Sequence, residues 1–365
     1  MASQQTDGER MAADELPFRT VADADISRRE KLRYTVDSLV VAPFKILWAD
    51  WRARVGFLII FLYVLMGTVG VLVNPVPTSG MDQRYLQPFH DNWLSFETIS
   101  VLGVGLPIDP VIYLPLGTDA LGKGLWSQLV HATPAMLKMI IAGAVFSTVV
   151  ATILGTLAGY KGGFTDRSIM TMADITMTIP GLPLVIIIAA ALQPENPYVI
   201  GLILGINNWA GLCRAVRSQV LSVRERDFVE ASRAMGLSTP RILVDDIIPD
   251  LMSYVSIHFV TAARGIIFES VGLYYLGILP FTTFNWGVMM NLAYTTSGAL
   301  YTWESAHWLF LPMLTITVLS VGLILFSQGL DRIFNPRVRA RHMKHAKGND
   351  EEEEQNSPME TVPTN

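Results

Sequence analysis

The sequence predicts an all-α integral membrane protein with six transmembrane helices, on the strength of three observations. Of 365 residues, 51% are hydrophobic and only 16% are charged, whereas about a quarter are charged in ordinary soluble domains. Six apolar segments come close to or exceed the roughly 18 to 20 helical residues needed to cross the hydrocarbon core. Lys and Arg are concentrated in alternate connections, which is typical of multi-pass membrane proteins.

The first 54 residues are predicted to form a cytoplasmic N-terminal segment. Residues 1–25 are acidic and aperiodic, so we expect them to be disordered. The amphipathic pattern of 28–50 is typical of a segment lying along the inner membrane face. Some fifty residues precede the first apolar core and no small-residue cleavage site follows it, so this core is predicted to be an anchor rather than a signal peptide.

The predicted transmembrane domain covers residues 55–330. Its six spans are 55–75, 139–160, 168–192, 198–213, 251–279 and 308–330. Pro180 and Pro183 lie inside the third span, which must be kinked or broken because proline frees backbone carbonyls. A long outer loop without helical period is predicted at 74–133, and a second outer segment at 280–307.

The distribution of Lys and Arg predicts the orientation. The two outer segments contain two and none, whereas 19–54 contains eight, 214–241 six and 332–347 six. Both termini and the loop 214–250 should therefore be cytoplasmic, with a basic and then acidic tail at 331–365. The whole chain has a net charge of −5. The acidic ends, 1–25 and 348–365, have net charges of −4 and −6, so the rest of the chain has a net charge of +5. This pattern fits a protein in a lipid bilayer better than a nucleic-acid binder.

The loop 214–250 contains signals for two short helices around a glycine. Residues 227–235 are rich in helix formers, and Gly236 suits the left-handed position that ends a helix. Thr239 and Pro240 are typical of a helix start, so a second helix is predicted at 240–248, ending before Pro249. The alternative is a plain solvated connection between two spans.

The first of these helices has features of a docking surface. Ala231, Ser232 and Ala234 are small enough to let another backbone approach closely. Arg226, Glu230 and Arg233 could form polar contacts at helical spacing.

These residues resemble the EAA loop of permease subunits in ATP-binding-cassette (ABC) importers. That pattern is Glu-Ala-Ala, a glycine four residues after the last alanine, and an Ile/Leu-Pro ending; here Ser232 stands for the second alanine and Ile248 for the usual leucine. In that family the loop is the coupling helix, which docks into a cleft on the cytoplasmic ATPase subunit. The resemblance implies these coupling residues: Arg226, Glu230, Ala231, Ser232, Arg233, Gly236 and Pro249.

Fragments elsewhere resemble the second, C-type permease of dipeptide, oligopeptide and nickel importers. They include 116–122, 157–163, 174–180, 214–230, 286–287 and 329–337, so the likeness covers about 51–337. It implies a type I ABC importer permease fold in the cell membrane, forming the pathway for peptides or similar small solutes. The implied partners are a second related permease in a heterodimer, two ATP-binding subunits and an extracellular substrate-binding protein.

We expect this chain to bind no cofactor or metal and to have no catalytic residues, with ATP and Mg²⁺ held by the ATPase partners. Residues 117–124 nearly match a phosphate-binding loop but lack its final Ser or Thr and lie on the predicted outer side. The single cysteine, Cys213, is predicted to be a small core residue, and the histidines lack metal-ligand spacing.

Four polar residues inside the spans are candidates for the translocation path. A lone charge at the membrane centre costs roughly 2.5 to 3.5 kcal/mol, yet Arg264 and Glu269 lie in the fifth span. Being five residues apart, they cannot share one helix face, so each either has a partner elsewhere or faces a water-filled path. Asn207 and Asn208 could contact substrate or bond neighbouring helices.

Three glycines in the fourth span, Gly201, Gly205 and Gly211, are predicted to serve helix packing.

Two other function classes remain open at this point. An ion-coupled transporter or channel would need paired intramembrane acids or an inverted repeat, and a structural scaffold would leave the helix-glycine-helix loop unexplained. The substrate also stays open among dipeptides, oligopeptides, nickel and oligosaccharides. For the importer hypothesis, Glu230→Lys or Gly236→Val should abolish uptake and leave membrane insertion intact.

Overall fold

The computed structural model describes residues 42–89, 94–101, 104–112, 114–281 and 284–334. Predictions for residues 1–25 and for the acidic tail lie outside the described residues and stay predictions. Apart from one β-hairpin and one isolated β-bridge, the regular structure of the described chain is helical.

The first apolar segment forms a continuous helical rod. A short helix, α1 (Ala42–Ala49), precedes it. Helix α2 (Trp51–Leu65) begins after Asp50, whose Oδ1 accepts the Arg52 N–H at 2.9 Å and caps the helix. A π-turn (Met66–Gly70) and α3 (Val71–Val73) continue the rod, which matches the first predicted span closely.

The predicted outer loop 74–133 contains regular structure that the sequence pattern did not show. Its elements are a 3₁₀ turn (Met81–Gln83) and an antiparallel hairpin of β1 (Leu94–Val101) and β2 (Val104–Ile112). A register irregularity lies between Glu97 and Thr98. The apolar positions of β1 change phase at that point, and this hides the period of two that predicts a strand.

Helix α4 (Leu125–Lys161) begins well before the predicted start of the second span at residue 139. The early turns contain buried polar side chains, which lower the hydropathy although the segment is helical. Thr133 Oγ1 bonds the Leu129 carbonyl at 2.8 Å, and Gln128 Nε2 donates to Asp119 at 2.9 Å. Their hydrogen bonds are satisfied locally, so the helix tolerates them.

The third predicted span is broken, as Pro180 and Pro183 predict. Helix α5 (Gly163–Thr178) and helix α6 (Gly181–Leu192) meet at an angle of 83°. Helix α5 begins directly after α4, with only Gly162 between them, so it starts five residues before the predicted third span at 168.

The fourth predicted span is also bent, by 55°, between α7 (Pro197–Gly205) and α8 (Trp209–Val223). Residues 214–223, assigned from the sequence to the loop after Cys213, are helical. Val216, Val220 and Val223 recur at helical spacing and are buried, which extends α8 through a stretch that contains two arginines.

Five further helices complete the described fold. The loop helices are α9 (Asp227–Ala234) and α10 (Thr239–Ile242), and the long ones are α11 (Ile248–Tyr275), α12 (Trp286–Ser297) and α13 (Trp303–Phe334). Helix α12 lies inside the predicted outer segment 280–307. Helix α13 also begins five residues before the predicted sixth span at 308.

The prediction that the second loop helix ends before Pro249 is wrong. A π-turn (Leu243–Ile247) joins α10 to α11, and Pro249 occupies the first turn of α11. Proline lacks an N–H and its ring clashes with the carbonyl four residues earlier in a regular helix. The wider π-turn just before Pro249 accommodates both defects, so the rod runs from Thr239 to Tyr275.

Within the described residues, four helices are long and apolar enough to cross a membrane, and six spans result if each bent pair counts as one. Helix α4 packs against α7, α8 and α11 at the centre of the fold. One apolar core surrounds the fully buried Trp286 and Tyr274. A second core, around Val216, Ile242 and Ile247, lies beneath the loop helices.

Candidate functional site

Helix α9 ends in a glycine-dependent turn of the kind the sequence predicts. Gly236 has φ +76°, in the left-handed region. The Gly236 N–H bonds the Arg233 carbonyl at 3.0 Å, and the Leu237 N–H bonds the Ser232 carbonyl at 3.2 Å. Together these form a Schellman motif, which satisfies carbonyls at the helix end. The chain therefore turns sharply from α9 into α10.

Helix α9 has one face buried in its own protein and one face free. Val229 and Ser232 are buried, Ser232 to 6% exposure. Glu230, Ala231 and Arg233 are exposed. The small-residue surface expected from Ala231, Ser232 and Ala234 is therefore divided: Ser232 allows close packing onto the second core, and the two alanines face outwards.

Side chains beside α9 hold it to two long helices. Arg226 Nη1 lies 3.0 Å from Asp250 Oδ2 in the first turn of α11. The Arg233 guanidinium lies over the Tyr160 ring at 5.5 Å, near the end of α4. Thus α9 is linked to α4 on one side and to α11 on the other, and Arg226 and Arg233 each contact their own chain.

A cavity of about 580 Å³ lies between the end of α4 and the loop helices. Its lining comprises Tyr160, Lys161, Arg224, Glu225, Glu230, Arg233 and Thr239. Arg224 Nη1 donates to the Gly159 carbonyl at 3.0 Å and fixes one wall. Three cations and two carboxylates line this cavity, so it is polar and weakly positive.

The four candidate path residues do not form one ion-paired group. Arg264 Nε donates to Ser320 Oγ at 3.0 Å, on α13. The Glu269 carboxylate instead interacts with the Asn208 side chain. Asn208 Nδ2 also donates to the Leu204 carbonyl at 3.1 Å. Arg264 therefore joins α11 to α13, whereas Glu269 joins α11 to the bend between α7 and α8.

The two helix breaks touch each other. A Cβ atom placed on Gly181, at the start of α6, would lie 2.7 Å from Asn207 Nδ2 in the bend between α7 and α8. Asn207 Oδ1 is buried and has no hydrogen-bond partner in the described part of the chain. The structure thus brings Asn207, Asn208 and Glu269 together and leaves Arg264 apart.

Two ion pairs that the sequence did not identify join α5 to α8. Arg217 makes a bidentate contact with Asp166 at 2.6 and 2.5 Å, and Arg214 pairs with Asp174. They border a cavity of about 700 Å³. The sequence signal was limited to the opposite charges themselves, because partners 51 and 40 positions apart have no fixed spacing.

The segment that resembles a phosphate-binding loop is closed by its own carboxylate. Asp119 Oδ1 accepts the backbone N–H groups of Leu121 and Lys123 at 2.8 and 2.9 Å. Asp119 is almost fully buried. Since backbone N–H groups cradle phosphate in such loops, a segment whose N–H groups already bind a buried carboxylate does not suit a nucleotide. This supports the interpretation that residues 117–124 resemble a phosphate-binding loop in sequence only.

Cys213 is buried, as predicted. Within the described ranges no group of three or more His, Cys, Asp or Glu residues could hold a metal ion.

We expect Gly236→Val to lose most uptake and to leave membrane insertion unchanged. No atom lies within 4 Å of the added Cβ, so the cost comes from the backbone. A left-handed conformation costs roughly 1 to 2 kcal/mol for an L-residue, and a branched side chain adds to it. Uptake and membrane-fraction yield measure the two effects. Gly211→Val, also in open space but inside a regular helix, is the control; equal uptake by both variants would contradict the prediction.

Comparison with known proteins agrees with the resemblance to permeases. The dipeptide transport system permease protein DppC of Bacillus subtilis (strain 168) is 27% identical over 325 residues, 87% of this chain and 90% of the relative. The oligopeptide transport system permease protein OppC of the same organism is 27% identical over 290 residues, 79% and 86% of the two chains. The nickel transport system permease protein NikC of Escherichia coli (strain K12) is 27% identical over 301 residues, which are 80% of this chain and 96% of the relative.

A family model described as "Binding-protein-dependent transport system inner membrane component" matches residues 151–340. This match begins inside α4 and includes both bent helix pairs, the loop helices, α11 and α12. The predicted resemblance to permeases of dipeptide, oligopeptide and nickel systems is confirmed. The chain belongs to the family of binding-protein-dependent transport system inner membrane components.

Proposed function

We propose that this chain is the membrane-spanning permease subunit of an ATP-driven ABC importer for peptides or similar small solutes. In this proposal each bent pair counts as one span, so the chain crosses the membrane six times and has both termini and the loop helices in the cytoplasm. The family match supports this function, as do relatives named for dipeptide, oligopeptide and nickel transport. The retained Lys and Arg bias supports the orientation.

The observation that carries the proposal is the geometry of α9. One face packs on the second core through Val229 and Ser232, and the other presents Glu230 and Ala231 to solvent. A helix anchored on one side and free on the other can receive a partner and pass its displacement inwards. We therefore assign α9 as the coupling helix that docks on an ATPase subunit.

Displacement of α9 reaches the membrane through its attachments. The ion pair between Arg226 and Asp250 pulls on the first turn of α11, and the contact between Arg233 and Tyr160 pulls on α4. Helix α11 also bears Arg264 and Glu269. ATP hydrolysis on the partner would thus shift the same helix that contributes to the translocation path.

The assembly that this role requires contains four kinds of subunit. A second related permease completes the pathway, two ATP-binding subunits hold ATP and Mg²⁺, and an extracellular protein delivers the solute. This chain binds no nucleotide or metal itself and resides in the cell membrane.

Cysteine labelling tests the orientation directly. The only cysteine, Cys213, is buried, so the natural chain provides a low background. Met235→Cys, at a position 71% exposed beside α9, should react with a membrane-impermeant maleimide only after the membrane is permeabilised. Tyr301→Cys, at an exposed position before α13, should react in intact cells.

The same variants test the partnership with an ATPase. The tagged chain should copurify with ATP-binding subunits, and their presence should slow labelling of Met235→Cys but not of Tyr301→Cys. Reaction of Met235→Cys in intact cells would contradict the proposed function. So would solute uptake that continues without ATP, which is the behaviour of an ion-coupled transporter.

A further inference from the structure

The place where the two helix breaks meet α11 is a polar site inside the apolar body of the protein. Glu269 from α11, Asn208 and Asn207 from the bend between α7 and α8, and Gly181 at the start of α6 converge there. Discontinuous helices with polar groups at membrane depth are where transporters commonly bind their solutes. These contacts come from three segments far apart in sequence.

We propose that Glu269, Asn208 and Asn207 form a site for a positively charged group of the solute, namely the protonated amino group of a peptide. The inference rests on the proposed function and assigns a ligand chemistry to its translocation path.

The first argument is the charge balance of Glu269. In the part of the chain that the structure describes, Glu269 forms no ion pair with Lys, Arg or His. Arg264, the nearest cation along α11, is directed to Ser320 on α13. An ionised carboxylate is costly in an apolar environment unless a cation compensates it. A cationic solute group would supply that compensation during passage.

The second argument is the balance of donors and acceptors. Asn208 Nδ2 donates to the Leu204 carbonyl at 3.1 Å, and the Asn208 side chain also interacts with the Glu269 carboxylate. The buried polar atom that has no partner is an acceptor, Asn207 Oδ1, and the Glu269 carboxylate supplies two more acceptor oxygens. An ammonium group has three donors and no acceptor. The carboxylate and the buried amide oxygen therefore match an ammonium group better than a carboxylate.

The third argument is the depth of the site. At about 1.5 Å per residue, Asn207 lies about 15 Å from the start of α7, and Gly181 about 16 Å from the end of α6. Glu269 lies about 9 Å from the end of α11. The proposed orientation places all three of these helix ends outside. With a hydrocarbon core about 30 Å thick, the site thus lies between the middle of the membrane and its outer side, on the way of an incoming solute.

A metal ion is the other cation that the named relatives suggest, since one of them serves a nickel system. Among the described residues, Glu269 belongs to no group of three or more Asp, Glu, His or Cys side chains that could hold a metal ion. One carboxylate and one amide oxygen are too few for a transition-metal site. The ammonium group is therefore the occupant we infer.

The test uses the complete importer in liposomes, with its binding protein outside and ATP at the ATPase side. Alanyl-alanine and Ni²⁺ are the two probes, and uptake by each variant is divided by wild-type uptake of the same probe. We expect Glu269→Gln to lower alanyl-alanine uptake about tenfold or more, the loss that one charge-assisted contact represents. Glu269→Asp should restore part of it. Both variants should retain assembly and ATP hydrolysis.

The control is Glu304→Gln, which removes an exposed carboxylate at the start of α13. It should take up alanyl-alanine at the wild-type rate. Normal uptake by Glu269→Gln would overturn the site, and so would loss of assembly with the second permease, which would show that Glu269 pairs with that subunit. Uptake of Ni²⁺ but not of alanyl-alanine by the wild type would overturn the ammonium assignment. A wild-type importer that moves neither probe with ATP would contradict the proposed function itself.

Discussion

Gly201→Val should prevent α7 from packing on α4 and should leave little folded protein. A Cβ at Gly201 would lie 2.3 Å from the Met139 carbonyl oxygen, and a Cβ at Gly143 would lie 2.3 Å from the Gly201 carbonyl oxygen. These neighbours are backbone atoms, so no side-chain rotation can relieve the clash. Overpacking costs about 1 to 3 kcal/mol where side chains can move, and we expect more here because two main chains must separate.

Size-exclusion profiles in detergent and the midpoint of thermal aggregation measure this effect. Gly201→Val should elute mostly as aggregate, whereas Gly211→Val should elute like the wild type. Gly211 lies in α8, and nothing would come within 4 Å of an added Cβ there. Equal midpoints for the two variants would show that α4 and α7 tolerate a wider separation than the structure has.

Gly201→Val and Gly211→Val also show how far glycine spacing predicts which glycines pack against another helix. Gly201, Gly205 and Gly211 occur at spacings typical of helix packing, and the interpretation is confirmed for Gly201 and Gly205, which face α4. It is wrong for Gly211. Gly211 follows Gly205 by six residues, and about 100° of rotation per residue turns it roughly 120° away from the face of Gly205, so it does not meet α4.

Local signals predicted the loop helices well up to the glycine and less well beyond it. Gly236 ends α9 because a left-handed residue is needed there, and that requirement acts within a few residues. Pro249 was expected to end a helix for an equally local reason. The π-turn before it is favoured by burial of Ile242 and Ile247 in the second core, which is a tertiary effect.

Long-range contacts of the candidate site could not be predicted. The sequence identified Asn207, Asn208, Arg264 and Glu269 as polar residues inside spans, and helical geometry correctly separated Arg264 from Glu269. The convergence on Gly181 depends on two bends of 83° and 55°. Proline predicted the first bend, whereas the second begins at Ile206 without a proline.

Glu230→Lys should reduce ATP-dependent uptake to background, the other large effect that we expect. Glu230 is exposed on the free face of α9 and borders the cavity that already contains Lys161, Arg224 and Arg233. A lysine there adds a fourth cation and replaces the carboxylate that the ATPase subunit would meet. Unpaired like charges at an interface weaken docking strongly, so the expected loss of uptake is about tenfold or more.

The loss should come from coupling and not from folding. An exposed substitution usually changes stability by less than about 0.5 kcal/mol, so yield, membrane insertion and the thermal midpoint should match the wild type. Copurification with the ATPase subunits should fall with uptake, because α9 is the proposed contact. ATP hydrolysis by the ATPase subunits alone should be unaffected.

Glu225→Lys is the matched control for this change. Glu225 lines the same cavity and is exposed, but it precedes α9, and its ion pair with Arg224 is long at 3.8 Å. Exposed pairs contribute about 0 to 1 kcal/mol, so this variant should retain most uptake despite the same change of charge. Equal losses in both variants would mean that the charge of the cavity matters and the position on α9 does not. Normal uptake by Glu230→Lys would remove the outer face of α9 from the coupling mechanism.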